Sequence, residues 1–221
     1  MPARNIMKSA VLSLSIIGGL WAHSQEVHAA PHETLVVAGG CFWCVESDFE
    51  SVPGVIEAVS GYTGGSSDNP TYKQVTKGGT GHFEAVEITF DPGVVSRETL
   101  LDLFLRSVDP TDAGGQFCDR GESYRTAIFV SNKAEKQLAE AAKADAQQAL
   151  GTKIVTPILQ SGTFYPAEAY HQDYYKGTKL VLTRFGPKRQ STAYKLYRDA
   201  CGRDQRVGEL WGKDAPFVGK H

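Results

Sequence analysis

Two adjacent glycines, Gly39 and Gly40, separate stretches of different periodicity, and this junction constrains the chain more than any other feature. Before them, residues 34–38 form a short run rich in β-branched side chains (Thr34, Val36 and Val37), which reads as a strand. After them, Phe42, Val45, Phe49 and Val52 recur at helical spacing with Glu46, Asp48 and Glu50 between, and Pro53-Gly54 ends the pattern. Cys41 therefore stands where a strand hands over to a helix. Unpaired N–H groups and the positive end of the helix dipole meet there, and both favour a thiolate. The glycines let backbone come close to whatever binds.

Further along, Val55–Gly61 reads as a second strand and residues 62–81 as a long polar loop. Phe83–Phe90 alternates strictly, which puts Glu84 on one face with Val86, Ile88 and Phe90. A helix follows Ser96, with Leu100, Leu101, Leu103, Phe104 and Val108 as its apolar positions. The loop from Asp109 to Ser123 feeds a strand over Tyr124–Val130. Asn132 and Gly151 bracket an Ala-, Lys- and Glu-rich helix. Residues 153–160 are strand-like, with Pro157 marking an edge or bulge. Short helical segments end the chain around Tyr194–Cys201 and Asp204–Trp211. The order βαββα, followed by further strands and helices, predicts one α+β domain over residues 30–221.

The first 29 residues read differently. Arg4 and Lys8 precede an apolar run from Ala10 to Ala22, and Val27 and Ala29 suit the −3 and −1 positions of a cleavage site. A secretory signal peptide is expected, and hence a periplasmic or secreted protein. A run of thirteen residues falls short of the roughly 20 that span a bilayer, so no stable membrane span is expected after processing. Met7, directly before Lys8, is an alternative start. A net charge of −2 leaves no basic surplus for general nucleic-acid binding.

Cys44 completes the pair Cys41-Phe42-Trp43-Cys44. Half a zinc site is one reading, but there is no second such pair, and Cys118 and Cys201 stand alone. A thioredoxin-like dithiol needs a proline facing the pair, and Pro157 lies far downstream. A copper-carrying module of ferredoxin-like fold, binding through Cys41 and Cys44, is the alternative from a different class. Phe42 and Trp43 argue against it. Two large aromatics beside a thiolate make a dry wall suited to an uncharged group such as a thioether methyl.

Gly39-Gly-Cys-Phe-Trp-Cys-Val-Glu46 resembles the signature of the A-type peptide methionine sulfoxide reductases, which usually reads Gly-Cys-Phe-Trp-Gly. Further blocks match in order: Gly61-Tyr-Thr-Gly-Gly65, Asn69-Pro-Thr-Tyr72, Thr80-Gly-His-Phe-Glu-Ala-Val86 and Asp119-Arg-Gly-Glu-Ser-Tyr-Arg125. Phe164 and Tyr165 with Glu168, His171 and Gln172 form the last. The resemblance implies a ferredoxin-like α/β core with added strands, helices and loops. It also implies reduction of the S epimer of methionine sulfoxide, free or in oxidised proteins, as a repair activity. Cys41 would be the nucleophile and Glu84 the acid. Phe42 and Trp43 would hold the substrate methyl, Tyr62 and Tyr124 the sulfoxide oxygen, and Asp119 would orient the site. No bound cofactor or metal is implied, only an external thioredoxin-like thiol reductant, which export would make a periplasmic one. The resolving thiol is expected to be Cys44 first, Cys201 second and Cys118 third.

Overall fold

The computed structural model describes Met1 and residues 31–221; the expected signal peptide lies outside the described residues. The chain runs β1 (Glu33–Gly39), α1 (Phe42–Glu50), β2 (Val55–Thr63), α2 (Tyr72–Lys77), β3 (Phe83–Phe90), α3 (Arg97–Arg106), and two short strands β4 (Gly115–Gln116) and β5 (Asp119–Arg120). It continues through β6 (Thr126–Val130), α4 (Lys133–Leu150), β7 (Ile158–Gln160), β8 (Tyr165–Pro166), β9 (Leu180–Thr183), β10 (Gly186–Arg189), α5 (Gln190–Cys201) and α6 (Arg203–Trp211). No described helix is long and apolar enough to cross a membrane.

Six strands form one sheet in the order β7-β6-β1-β3-β2-β8, antiparallel except for β6 with β7. The inner order β6-β1-β3-β2, with α1 following β1 and α3 following β3, is the ferredoxin-like arrangement of an α+β fold. Alternation decides the two faces. Leu35, Val37, Val86, Ile88, Phe90 and Ile128 project toward the helices and meet Val45, Phe49, Leu100 and Phe104. Ala38, Phe83, Ala85, Ala127 and Phe129 project to the opposite face and form a smaller cluster.

Helix limits follow the local chemistry. The side chain of Asn132 accepts from the Glu135 N–H at 3.0 Å, and left-handed Gly151 ends α4, as the sequence predicts. Three segments differ from expectation. The loop over 62–81 contains α2, opened by a Thr71 N–H donating to Gln74 Oε1 at 2.8 Å. Tyr124 closes a 3-10 turn instead of opening a strand, and only 158–160 of the segment after Gly151 pairs, at the sheet edge. The hairpin β9–β10 carries no strong alternation in the sequence.

The C-terminal helices lock onto α1 through buried charge. Asp48 has no exposed surface and pairs with Arg198 at 3.0 Å, Arg203 at 3.7 Å and His221 at 3.0 Å. Arg203 also donates to the carbonyls of Gly39 at 3.0 Å and Ser107 at 2.9 Å. Removing one partner from such a cluster leaves the others buried without compensation. Asp48→Ala is expected to lower folding stability by about 3–5 kcal/mol, read as a lower denaturation midpoint with an unchanged m-value.

Candidate active site

Gly39 and Gly40 bring the end of β1 against the rest of the site. A Cβ on Gly39 would lie 2.9 Å from Val45 and 3.0 Å from Val108; one on Gly40, at φ +80°, would lie 2.5 Å from the Gln116 side chain. The tight passage sets the start of α1 over the end of β3, where the Phe42 N–H donates to Glu84 Oε2 at 3.1 Å. A cavity of about 350 Å³ opens here. Of the site residues expected from the sequence, Cys41, Phe42, Trp43, Cys44, Glu84, Asp119 and Tyr124 line it. Cys118 and Cys201 line it too.

Cys41 is half-buried and Cys44 is 7% exposed; both are free thiols. The two sulfurs hydrogen-bond to each other, so they titrate as one dithiol. One proton leaves easily. The bond from Cys41, with Arg203 and Arg198 nearby, holds the Cys44 thiol down at about 6 against the opposing burial. The remaining proton is held firmly on Cys41 by the bond to Cys44, by burial, and by the charges of Cys44, Glu84 and Asp119. This revises the expectation that the helix start alone makes Cys41 the acidic thiol. In the monoanion the proton rests on Cys41, and Cys41 becomes nucleophilic when it passes along the shared bond to Cys44.

Glu84 is 2% exposed, and burial pushes its carboxyl up to about 8 despite the bond from Phe42. Its Oε1 is buried with no protein partner. A carboxylic acid neutral at pH 7, with one oxygen left free at the cavity, is built to donate a proton. The Tyr124 hydroxyl faces both Glu84 and Tyr72, and burial raises the pKa of both phenols, so they stay protonated donors.

Tyr62 is a correction. It pairs with Glu84 across the β2–β3 ladder but is fully buried and does not line the cavity. Its hydroxyl donates to Glu168 Oε2 at 2.9 Å. Glu168 Oε1 in turn accepts from the Tyr72 N–H at 3.0 Å. Tyr62 thus fixes the start of α2, and Tyr72 is the cavity phenol that stands with Tyr124 beside Glu84. Sequence reasoning passed over Tyr72 although it ends the Asn69–Tyr72 block.

The aromatic wall is layered. Trp43 stacks on Tyr174 with centroids 3.8 Å apart, and Phe42 packs on His171 at 5.0 Å. Burial lowers the His171 pKa to about 4, leaving a neutral ring. In the same cavity, Cys118 and Cys201 form a disulfide that joins the loop before β5 to the end of α5. Asp119 lies beside it, its Oδ2 3.8 Å from Cys201 Sγ, and burial raises its pKa. The pairing of Cys118 with Cys201 was not anticipated. It places the second- and third-ranked resolving candidates in a bond of their own. Among the described residues, the two groups that bring three metal-type ligand atoms together include neither Cys41 nor Cys44.

A nucleophilic dithiol, a neutral acid and two phenols around one aromatic-walled cavity define a thiol-dependent oxidoreductase on a ferredoxin-like α+β frame. The comparisons narrow this. A family model described as peptide methionine sulfoxide reductase matches residues 33–201. The peptide methionine sulfoxide reductase MsrA 2 of Caulobacter vibrioides is 46% identical over 203 residues, covering 91% of this chain and 97% of that protein. Its namesake in Rhizobium meliloti is 49% identical over 191 residues, 86% and 89% of the two. Against the Vibrio cholerae protein named MsrA/MsrB the identity is 46% over 84% of this chain, which spans only 47% of that protein. Among solved structures, reduced Mxr1 from Saccharomyces cerevisiae aligns with a TM-score of 0.62 and 31% identity, over 69% of this chain and 90% of that one. Methionine sulfoxide reductase A of Corynebacterium diphtheriae aligns at 0.59 and 32%, over 66% and 74%. The chain belongs to the peptide methionine sulfoxide reductase family. That membership sets aside the copper carrier.

Proposed function

We propose that this protein reduces the S epimer of methionine sulfoxide, free or within polypeptides, through the thiols of Cys41 and Cys44. One observation carries the reading: the buried, unpartnered Oε1 of Glu84 shares the cavity of Cys41, Tyr72 and Tyr124. In the dithiol monoanion the proton passes from Cys41 to Cys44, and Cys41 meets the sulfoxide sulfur as a thiolate. Glu84 gives its proton to the sulfoxide oxygen while Tyr72 and Tyr124 donate hydrogen bonds to it. The oxygen ends on Cys41 as sulfenic acid and methionine leaves, so the substrate sulfur is reduced by two electrons and Cys41 oxidised by two. Phe42 and Trp43 offer the apolar surface for the methyl group. Arg203 and Arg184 lie close enough to Asp119 to oppose its raised pKa, so Asp119 bears on the electrostatics of the cavity.

The Cys44 thiol then attacks the Cys41 sulfur, releasing water and forming a disulfide. Cys44 is assigned this step because its thiol is free and interacts directly with that of Cys41, whereas Cys201 is joined to Cys118. An external thioredoxin-like dithiol closes the cycle. The basic start and apolar run of the first 29 residues support export, and with it a periplasmic reductant acting on one domain over residues 30–221.

The test joins substrate and product. Racemic N-acetyl methionine sulfoxide is expected to be consumed to half, with only the S epimer lost. Mass mapping after one equivalent should find a new Cys41–Cys44 bridge. Loss of the R epimer, or a bridge from Cys41 to Cys118 or Cys201, would overturn the assignment.

A further inference from the structure

The lip of the cavity carries the most exposed large apolar side chains among the described residues outside Met1. Leu180 is 73% exposed and Leu182 is 86% exposed. They sit two apart on β9 and so share one face, while Val181, between them, turns inward against the cluster of Tyr174, Ala193 and Tyr194. The ribbon is anchored from behind: Arg184 stacks over Phe185 at 4.9 Å and over Tyr197 of α5 at 5.1 Å. β9 pairs with β10 alone. Leu182, Thr183 and Arg184 also line the cavity that holds Cys41 and Glu84. An apolar, one-sided strand edge is therefore continuous with the reaction chamber.

We infer that the outer face of β9 is a docking edge for the polypeptide that carries the oxidised methionine, and that it selects apolar residues flanking that methionine. This rests on the sulfoxide reduction proposed above. The chemistry of the substrate supports it. Oxidising a buried methionine converts an apolar side chain into a polar one and disrupts the core around it. The chain neighbours then exposed are those that had packed in that core. An extended segment laid along β9 pairs its backbone with the free strand edge, sets alternate apolar side chains on Leu180 and Leu182, and directs the sulfoxide past Leu182 into the cavity.

The experiment compares two short peptides, each with one methionine S-sulfoxide, one flanked by Val and Leu and the other by Ser and Gly. Dithiothreitol serves as reductant and the free amino acid sulfoxide as reference. The wild-type protein should favour the apolar peptide by about tenfold in kcat/KM, through KM, the scale of one added apolar contact in a pocket. Leu180→Ser should reduce that ratio to about one, and Leu180→Met, which keeps the apolar bulk, should retain it. A wild-type ratio near one, or a ratio unchanged in Leu180→Ser, overturns the inference. So does a Leu180→Ser effect confined to the KM of a protein dithiol used in place of dithiothreitol, which would make the edge a reductant dock. No turnover of the reference sulfoxide overturns this inference together with the reduction reading, whereas turnover of the reference with no flank effect overturns this inference alone.

Discussion

Cys41→Ser is expected to bring methionine sulfoxide reduction to background, a loss of roughly 10⁶, the scale reached when a covalent nucleophile is removed. The substitution keeps shape and hydrogen bonding nearly intact, so the loss is chemical. A serine hydroxyl does not ionise in this pH range, and no sulfenic acid can form on oxygen. Cys44 is poorly placed to take over, because it is 7% exposed and packed in the cluster of Tyr174, Ala193 and Tyr194. The decisive readout is a thiol count in the absence of external reductant. The reduced wild-type protein should lose two titratable thiols per methionine formed; the variant should lose none and form no methionine. Methionine formation by the variant at even a hundredth of the wild-type rate would move the nucleophile elsewhere.

What could be read in advance depended on the range of the signal. The strict alternation of Phe83–Phe90 placed Glu84 among Val86, Ile88 and Phe90, and the structure keeps it there at 2% exposure. The junction at Gly39-Gly40 was legible because two periodicities meet there. Tyr62 and Tyr72 show where such reading stops. Tyr62 has the correct strand face and sits opposite Glu84, yet its ring carries the hydroxyl to Glu168. Tyr72 opens a six-residue helix too short to show periodicity, with Thr71 and Gln74 as its only local mark. The Cys118–Cys201 bond joins residues 83 apart, and no local pattern encodes such a pairing. Arg198 and Arg203 look like surface charges in a polar C-terminal stretch. Only the packed structure shows them buried against Asp48, lowering the first ionisation of a dithiol on the opposite end of the chain.

Glu84→Gln is expected to slow the reductase step by roughly 10²–10⁴, the usual worth of a positioned general acid. Glutamine accepts the Phe42 N–H as Glu84 does, so the turn at the start of α1 is kept and the proton alone is lost. The pH dependence separates this role from a structural one. In the wild-type protein the dithiol must have lost one proton, which occurs near pH 6, and Glu84 must still hold its own, which it does up to about 8. kcat/KM for N-acetyl methionine sulfoxide should therefore rise through about pH 6 and fall through about pH 8. A raised carboxyl is active below its pKa, so the descending limb belongs to Glu84. Glu84→Gln should abolish that limb while keeping the ascending one, leaving a low rate that plateaus above pH 6 to 7. Were the descending limb to persist in the variant, the proton would come from another group, with Asp119 the remaining carboxyl on the cavity and Tyr72 and Tyr124 held protonated far above this range. The same variant measured by alkylation of Cys41 in the absence of substrate should react no more slowly than wild type. Above about pH 8, where Glu84 is ionised, replacing it by an amide takes away a charge that opposes the thiolate, and this direction is opposite to the one seen in turnover. Faster alkylation together with slower reduction is a combination that a merely misfolded site does not produce.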